Sequence, residues 1–194
     1  YVGFAKSVLG TIKDKPISFE VFSDEFNEME RQARIINSWA ENVYVKIPIT
    51  NTRDESSGEL IRKLSSQGIK LNVTAILTLP QVETVSQVLN PKIPAIISVF
   101  AGRIADTGID PMPIMKKAKE ILLPYPKFEL LWASSRELLN IYQAEEIGAD
   151  IITVTSEILK KTVMVGYNHR ELSIETVKMF YEDGQKVGYT LYES

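Results

Sequence analysis

Ala95-Ile96-Ile97-Ser98-Val99-Phe100 is a run of six residues with one hydroxyl and no charge. A strand apolar on both of its faces belongs in a parallel sheet covered on both sides, so this stretch argues for an α/β fold. The same unit recurs outward from it. Strand-like segments lie at 70–77, 43–49 and 17–22 on the N-terminal side, and at 128–134 and 151–155 on the C-terminal side. Between them, apolar residues three and four apart mark helices. Met29, Ala33, Ile36 and Trp39 form one such face; Leu60, Ile61 and Leu64 form another, stopped at Gly68; Ile114, Met115, Ala118, Ile121 and Leu122 form a third. Asp24 stands where it can cap the first, and Asp110 with Pro111 can cap and begin the third. Strand starts at 17, 43, 70, 95, 128 and 151 have the spacing of successive βα units. An open doubly wound sheet satisfies that pattern, and so does part of an eight-stranded barrel.

The rest of the chain adds no second pattern. Residues 1–9 read as the tail of a helix, 173–181 as a terminal helix, and nothing resembles a linker or a low-complexity tract, so residues 1–194 are expected to form a single domain. With 22 Lys+Arg against 25 Asp+Glu, the net charge of −3 leaves no basic footprint for nucleic acid or an anionic membrane. Cysteine is absent, which removes disulfides and thiolate ligands and suits a reducing compartment. No apolar run is long enough to span a bilayer and no signal-like segment stands out, so the expected location is the cytoplasm. His169 is the one imidazole for every role, which argues against a histidine zinc site or a Ser/His/Asp triad. The scattered carboxylates suggest no Mg²⁺ or Ca²⁺ site. Met115, Met164 and Met179 read as packing residues. Tyr181 and the end 188–192 admit two readings, cover over a site or contact with another subunit of a homo-oligomer.

Polar residues in the strands carry the chemistry. Glu20, Lys46, Asn72, Thr74, Ser98, Ser134 and Thr153 occupy six different strands near their C-terminal ends, where the functional groups of a βα barrel collect. Lys46 sits in Val43-Tyr44-Val45-Lys46-Ile47-Pro48, a run otherwise apolar apart from one phenol. Its stem could pack while the ammonium reaches water, or the amine could be the nucleophile of a Schiff-base mechanism, since desolvation frees an amine lone pair for attack on a carbonyl. Such chemistry also needs an acid/base group and donors for substrate hydroxyls. Glu20 can supply the first through a water ordered by Thr74, and Asn72 can orient a substrate oxygen. The structural alternative is a buried Lys46–Glu20 ion pair among ordinary strand threonines. Arg103, after Ser98 and Gly102, and Arg136, after Ser134 and Ser135, follow two strands at matched positions. Guanidinium forks, hydroxyls and loop amides together suit a phosphate dianion. Ser134 and Arg136 share a face if the strand reaches that far. Asp106 and Asp110 are explained by loop bracing and helix capping.

Several of these segments, in this order, resemble the transaldolase family, including its shorter fructose-6-phosphate aldolase-like members. Val45-Lys46-Ile47-Pro48 is similar to the strand bearing the Schiff-base lysine, and Leu71-Asn72-Val73-Thr74 to the asparagine/threonine strand. The segment 98–106 resembles the serine-and-arginine phosphate segment, Ala133-Ser134-Ser135-Arg136 the second phosphate-side segment, and Glu20 the glutamate of water-mediated proton transfer. The resemblance implies a TIM-like (β/α)₈ barrel. The six strands would then be its third to eighth, with two βα units, and an aspartate carried by the first, expected outside residues 1–194. It further implies transfer of a dihydroxyacetone unit between sugar phosphates, within the pentose phosphate pathway of carbohydrate metabolism, and without metal or organic cofactor. Lys46, Glu20 and Thr74 would be catalytic, and Asn72, Ser98, Arg103, Ser134 and Arg136 would bind substrate. An aldolase that releases dihydroxyacetone is the near alternative, disfavoured by glutamate in place of the aldolase group's usual glutamine at position 20. A noncatalytic sugar-phosphate-binding barrel is the remote one.

Overall fold

Strands β1 (Ile17–Glu20), β2 (Val43–Pro48), β3 (Leu71–Ile76), β4 (Ala95–Val99), β5 (Phe128–Trp132) and β6 (Ile151–Ile152) lie side by side in chain order in one parallel sheet. A computed structural model of the chain describes residues 1–188 and 191–192, which fall into two compact units, Tyr1–Thr155 and Ser156–Ser194. All six expected strands are present, each shorter at its C-terminal end than its apolar pattern. The first residue beyond several of these ends still donates its amide to the next strand, as Val21 does to Lys46 O and Ile49 to Thr74 O, before the loop begins.

Helix α1 (Val2–Thr11) precedes β1, and α2 (Phe26–Asn37), α3 (Gly58–Ser66) and α4 (Leu79–Val88) connect the strands up to β4. Two helices, α5 (Ala101–Asp106) and α6 (Met112–Leu122), lie between β4 and β5, and α7 (Leu139–Glu146) lies before β6. Strand alternation divides the sheet into two faces. Val43, Val45, Ile47, Leu71, Val73, Ile97, Leu130 and Trp132 are buried in one large core with Met29, Ala33, Leu64, Val85 and Met115 of the helices. Full burial of each Val, Leu, Ile or Met side chain among them contributes about 1.5–3 kcal/mol. The opposite face holds a smaller cluster of Tyr44, Ile96, Leu131 and Ala133, against which Phe100 packs. Every residue of β4 is therefore buried, which is why its sequence is apolar on both sides.

Side-chain bonding shows that the second face is concave. In a flat sheet β1 and β3 would be about 10 Å apart, two strand spacings, yet Asn72 Nδ2 of β3 donates to Ser18 Oγ of β1 at 2.9 Å, over β2. The sheet is curled, a half-barrel of the TIM-like kind among the described residues.

The caps differ in part from expectation. Asp110 Oδ1 accepts from the Met112 amide, as its position suggested. Asp24 does not cap α2, whose N-cap is Glu25. Its carboxylate instead accepts from the Thr52 amide and hydroxyl and pairs with Arg53, tying down the loop after β2. Those two Thr52 bonds, with the Arg53 charge, hold the Asp24 carboxyl below its ordinary range.

The second unit comprises α8 (Ser156–Lys160), a 3₁₀ turn (Lys161–Met164) and α9 (His169–Val187). Helix α9 is capped by Asn168, whose Oδ1 accepts from the Arg170 and Glu171 amides, and it ends at Gly188 in the left-handed conformation. His169 is exposed. Met115 is buried in the core, whereas Met164 and Met179 are exposed and correct the reading of all three as packing residues, because neither the 3₁₀ turn nor α9 buries a side chain. Tyr181 is exposed, and Tyr189 and Thr190 of the C-terminal end lie outside the described residues.

Candidate active site

Inward-facing residues of the strands and of the turns that follow them line an open cavity of about 290 Å³. Its polar wall is Ser18, Lys46, Asn72, Thr74, Ser98, Ser134 and Thr153, and its apolar wall includes Phe100, Leu131 and Ala133. The parallel register produces this grouping. Glu20 stands opposite Lys46, and Lys46 opposite Asn72, so residues from three consecutive strands meet on one level.

Lys46 Nζ lies 3.5 Å from Glu20 Oε2, with the two side chains 30% and 45% exposed. The pair expected as the structural alternative exists, but it is open to solvent rather than buried. Asn72 is held from both sides, because Ser98 Oγ donates to its Oδ1 at 2.7 Å while its Nδ2 donates to Ser18 Oγ. That fixes the amide's orientation and leaves one of its N–H bonds uncommitted. Thr74 is buried, and its Oγ1 has no hydrogen-bond partner among the described residues. An unsatisfied buried hydroxyl costs about 1–3 kcal/mol, a cost removed when a water or a ligand oxygen occupies the cavity beside it. The residue after it, Ala75, has φ 61°, where β3 changes register against β4. This bulge ends the strand's alternation immediately beyond Thr74. Deeper on the concave face Glu129 is half-buried, and burial followed by the charge of Asp150 raises its carboxyl above the usual range.

Ser98 and Ser134 line the cavity, whereas Arg103 and Arg136 stand outside its immediate wall. Arg103 lies over the Phe100 ring, 5.4 Å from its centroid. Strand β5 stops at Trp132 and Ser134 has φ 62°, so the shared face expected for Ser134 and Arg136 is lost to the turn. Arg136 Nε instead donates to Asp106 Oδ1 at 2.9 Å and to Oδ2 at 3.1 Å, and its Nη2 also donates to Oδ2. The Arg136 bonds, followed by the charges of Arg136 and Arg103, hold the Asp106 carboxyl below its ordinary range. Both arginine segments are joined at Gly102, whose amide donates to Ala133 O at 3.2 Å. A Cβ at that position would stand 1.6 Å from Ser134 O, so only glycine permits the approach.

Asn72 and Ser98 stand out in the sequence, whereas Ser18, on the same cavity wall, does not. Its signal was available in the period of two that puts Ser18 on the face of Glu20. The sequence marks Asp106 as a brace but does not name its partner, because nothing local connects it to a residue thirty positions away. Among the described residues no group of three or more His, Cys, Asp or Glu is arranged to hold a metal, and no helix is long and apolar enough to cross a membrane.

Comparison with known proteins identifies the family. The family model described as Transaldolase/Fructose-6-phosphate aldolase matches residues 1–191. "Probable transaldolase 2" of Listeria monocytogenes is 38% identical over 153 residues, which cover 78% of this chain and 66% of the relative. "Probable transaldolase" of Bdellovibrio bacteriovorus is 34% identical over 88% of this chain and 74% of its own length, and that of Thermoplasma volcanium is 34% identical over 96% and 78%. The chain thus spans about two thirds to three quarters of these relatives. A curled parallel sheet, a lysine inside its concave face and a family match along nearly the whole length place this chain in the transaldolase/fructose-6-phosphate aldolase family of enzymes.

Proposed function

We propose that the complete polypeptide is a Schiff-base transaldolase that moves a dihydroxyacetone unit between sugar phosphates. The observation carrying this reading is the lysine amine on the wall of a cavity that also holds a pinned amide, Asn72, and a buried, unpartnered hydroxyl, Thr74. Lys46 Nζ adds to the ketose C2 carbonyl, and the carbinolamine loses water to form an iminium. Glu20, 3.5 Å from the amine, moves the protons of these steps through a water beside Thr74 Oγ1. The C4 hydroxyl then gives up its proton, the C3–C4 bond breaks, and the aldehyde fragment departs. The electron pair of the broken C3–C4 bond passes into the iminium, leaving a three-carbon enamine on Lys46. Attack of that enamine on an acceptor aldehyde forms the new carbon–carbon bond, and water releases the product ketose. The imine is the electron sink, so the scheme calls for no metal or organic cofactor. Asn72, Ser98 and Ser134 hold substrate oxygens, and Arg103 and Arg136 face the phosphate.

This reading includes an eight-stranded barrel as a single domain, in which β1–β6 are the third to eighth strands and the first two, with the aspartate that takes the C4 proton, come from outside residues 1–194. What supports it is the open edge at β1 and the 66% coverage of the Listeria relative. The reading also places the enzyme in the cytoplasm and in the pentose phosphate pathway.

The Lys46–Glu20 contact favours a second, noncatalytic reading in which the pair only balances charge. Borohydride reduction with fructose 6-phosphate, followed by intact mass and peptide mapping, separates the two. The expected result is an adduct on Lys46 that disappears in Lys46→Ala; a folded protein that forms none is not a Schiff-base enzyme. Product formation with and without erythrose 4-phosphate then distinguishes transfer from release, and strong acceptor dependence is expected.

A further inference from the structure

The tie between Asp106 and Arg136 is more specific than surface ion pairs usually are. Asp106 occupies one edge of the guanidinium, Nε and Nη2, with both carboxylate oxygens engaged. The other edge, including Nη1, has no partner among the described residues. Both ends of the tie are anchored. Asp106 closes α5, the helix whose Gly102 is seated against Ser134 O, and the Arg136 amide donates to Asn140 Oδ1 at 2.8 Å. Arg103 lies one helical turn before Asp106 and over Phe100 of the cavity wall. The Asp106 carboxylate is thus within electrostatic reach of both guanidinium groups, Arg136 by direct bonds and Arg103 by charge.

We propose that Asp106 is a positioning residue for anion recognition: it grips one edge of Arg136 and so presents the opposite edge, together with Arg103, to the phosphate of a sugar-phosphate ligand. This rests on the reading of Arg103 and Arg136 as phosphate-facing residues. The rival role for the same carboxylate is that of a competitor, which occupies Arg136 and must be displaced by phosphate. Positioning is the role proposed because the bidentate hold engages one edge of the guanidinium and leaves the other free to meet an anion.

The two roles predict opposite changes in affinity. The probe is glucitol 6-phosphate, which has no carbonyl and reports binding without imine chemistry, with glucitol as its uncharged partner. Affinities are measured by calorimetry for the full-length protein and for Arg136→Ala, Asp106→Asn and the double variant. Asp106→Asn is expected to weaken glucitol 6-phosphate about tenfold, equivalent to about 1.4 kcal/mol, while glucitol binding is unchanged. Thermal stability should hardly move, since an exposed pair contributes little to folding. In the Arg136→Ala background the Asp106 change should add nothing, which identifies action through Arg136 rather than a general structural effect. If Arg136→Ala weakens binding and Asp106→Asn does not, Asp106 is no positioning residue and the phosphate reading survives. Tighter binding by Asp106→Asn makes it a competitor and overturns the proposal. If Arg136→Ala binds the probe as well as the parent protein, the phosphate reading fails and the proposal fails with it.

Discussion

Thr74 shows how a single side chain can be poorly suited to stability and well suited to a site. Its hydroxyl is buried and, among the described residues, unpartnered, so the chain bears a desolvation cost that an isosteric methyl group would avoid. Thr74→Val is accordingly expected to leave stability unchanged or raise it by about 1 kcal/mol. It should also slow formation of the borohydride-trappable adduct about 100-fold, the lower end of general acid–base contributions. Denaturant titration and time-resolved mass measurement read the two effects separately, and a large stability loss with normal trapping would return Thr74 to the core. Asn72 differs from Thr74 in being bonded on two sides, with one N–H left over. Its amide is a fixed feature of the cavity wall, and the two serines that fix it come from strands 26 and 54 residues away in sequence.

Among the elements, the meeting of α5 with the turn after β5 decides how the two arginine segments are arranged. Gly102 is the point of contact, with its amide on Ala133 O and no room for a Cβ beneath Ser134 O. Gly102→Ala must push the two segments apart and is expected to destabilise the protein by about 1–3 kcal/mol, the usual cost of overpacking. The same change should weaken phosphate-ester binding, because Arg103 and Arg136 lie on either side of the contact. Chemical denaturation and calorimetry check both effects, and an alanine variant of undiminished stability would show that the contact is loose. Ser134 and Ala75, both with positive φ, end the regular alternation of β5 and β3 beside the same cavity. Local strain at these strand ends turns the chain where side chains must be re-aimed.

For the molecule as a whole, the governing feature is a sheet with unequal faces. The helix-covered face joins strands and helices in one core, while the concave face has a small apolar patch beneath a polar cavity. Neighbouring residues of β4 sample the two environments. Ile97→Ala, in the large core, is expected to cost about 3–5 kcal/mol, and Ile96→Ala, beneath the cavity, about 2 kcal/mol, because surrounding groups and water can fill part of the space it leaves. Equilibrium unfolding of both variants tests this, and equal costs would contradict the two-faced description.

Residue order alone determined the strand–helix succession, the two-sided burial of β4 and the placing of polar Lys46, Glu20, Asn72, Thr74 and Ser98 within the strands, because hydrophobic period and misplaced polar groups are local properties. Its signals also overran: Asp24 looked like a cap until Thr52 and Arg53 claimed it, and Arg136 looked like a neighbour of Ser134 until the turn at φ 62° separated them. Tertiary structure alone decided that Ser18 would hold Asn72 across β2, that Gly102 would meet Ser134, and that Asp106 would hold Arg136. Each of these contacts joins residues at least thirty positions apart, and it is the curl and register of the assembled sheet, rather than any local preference, that brings them within reach.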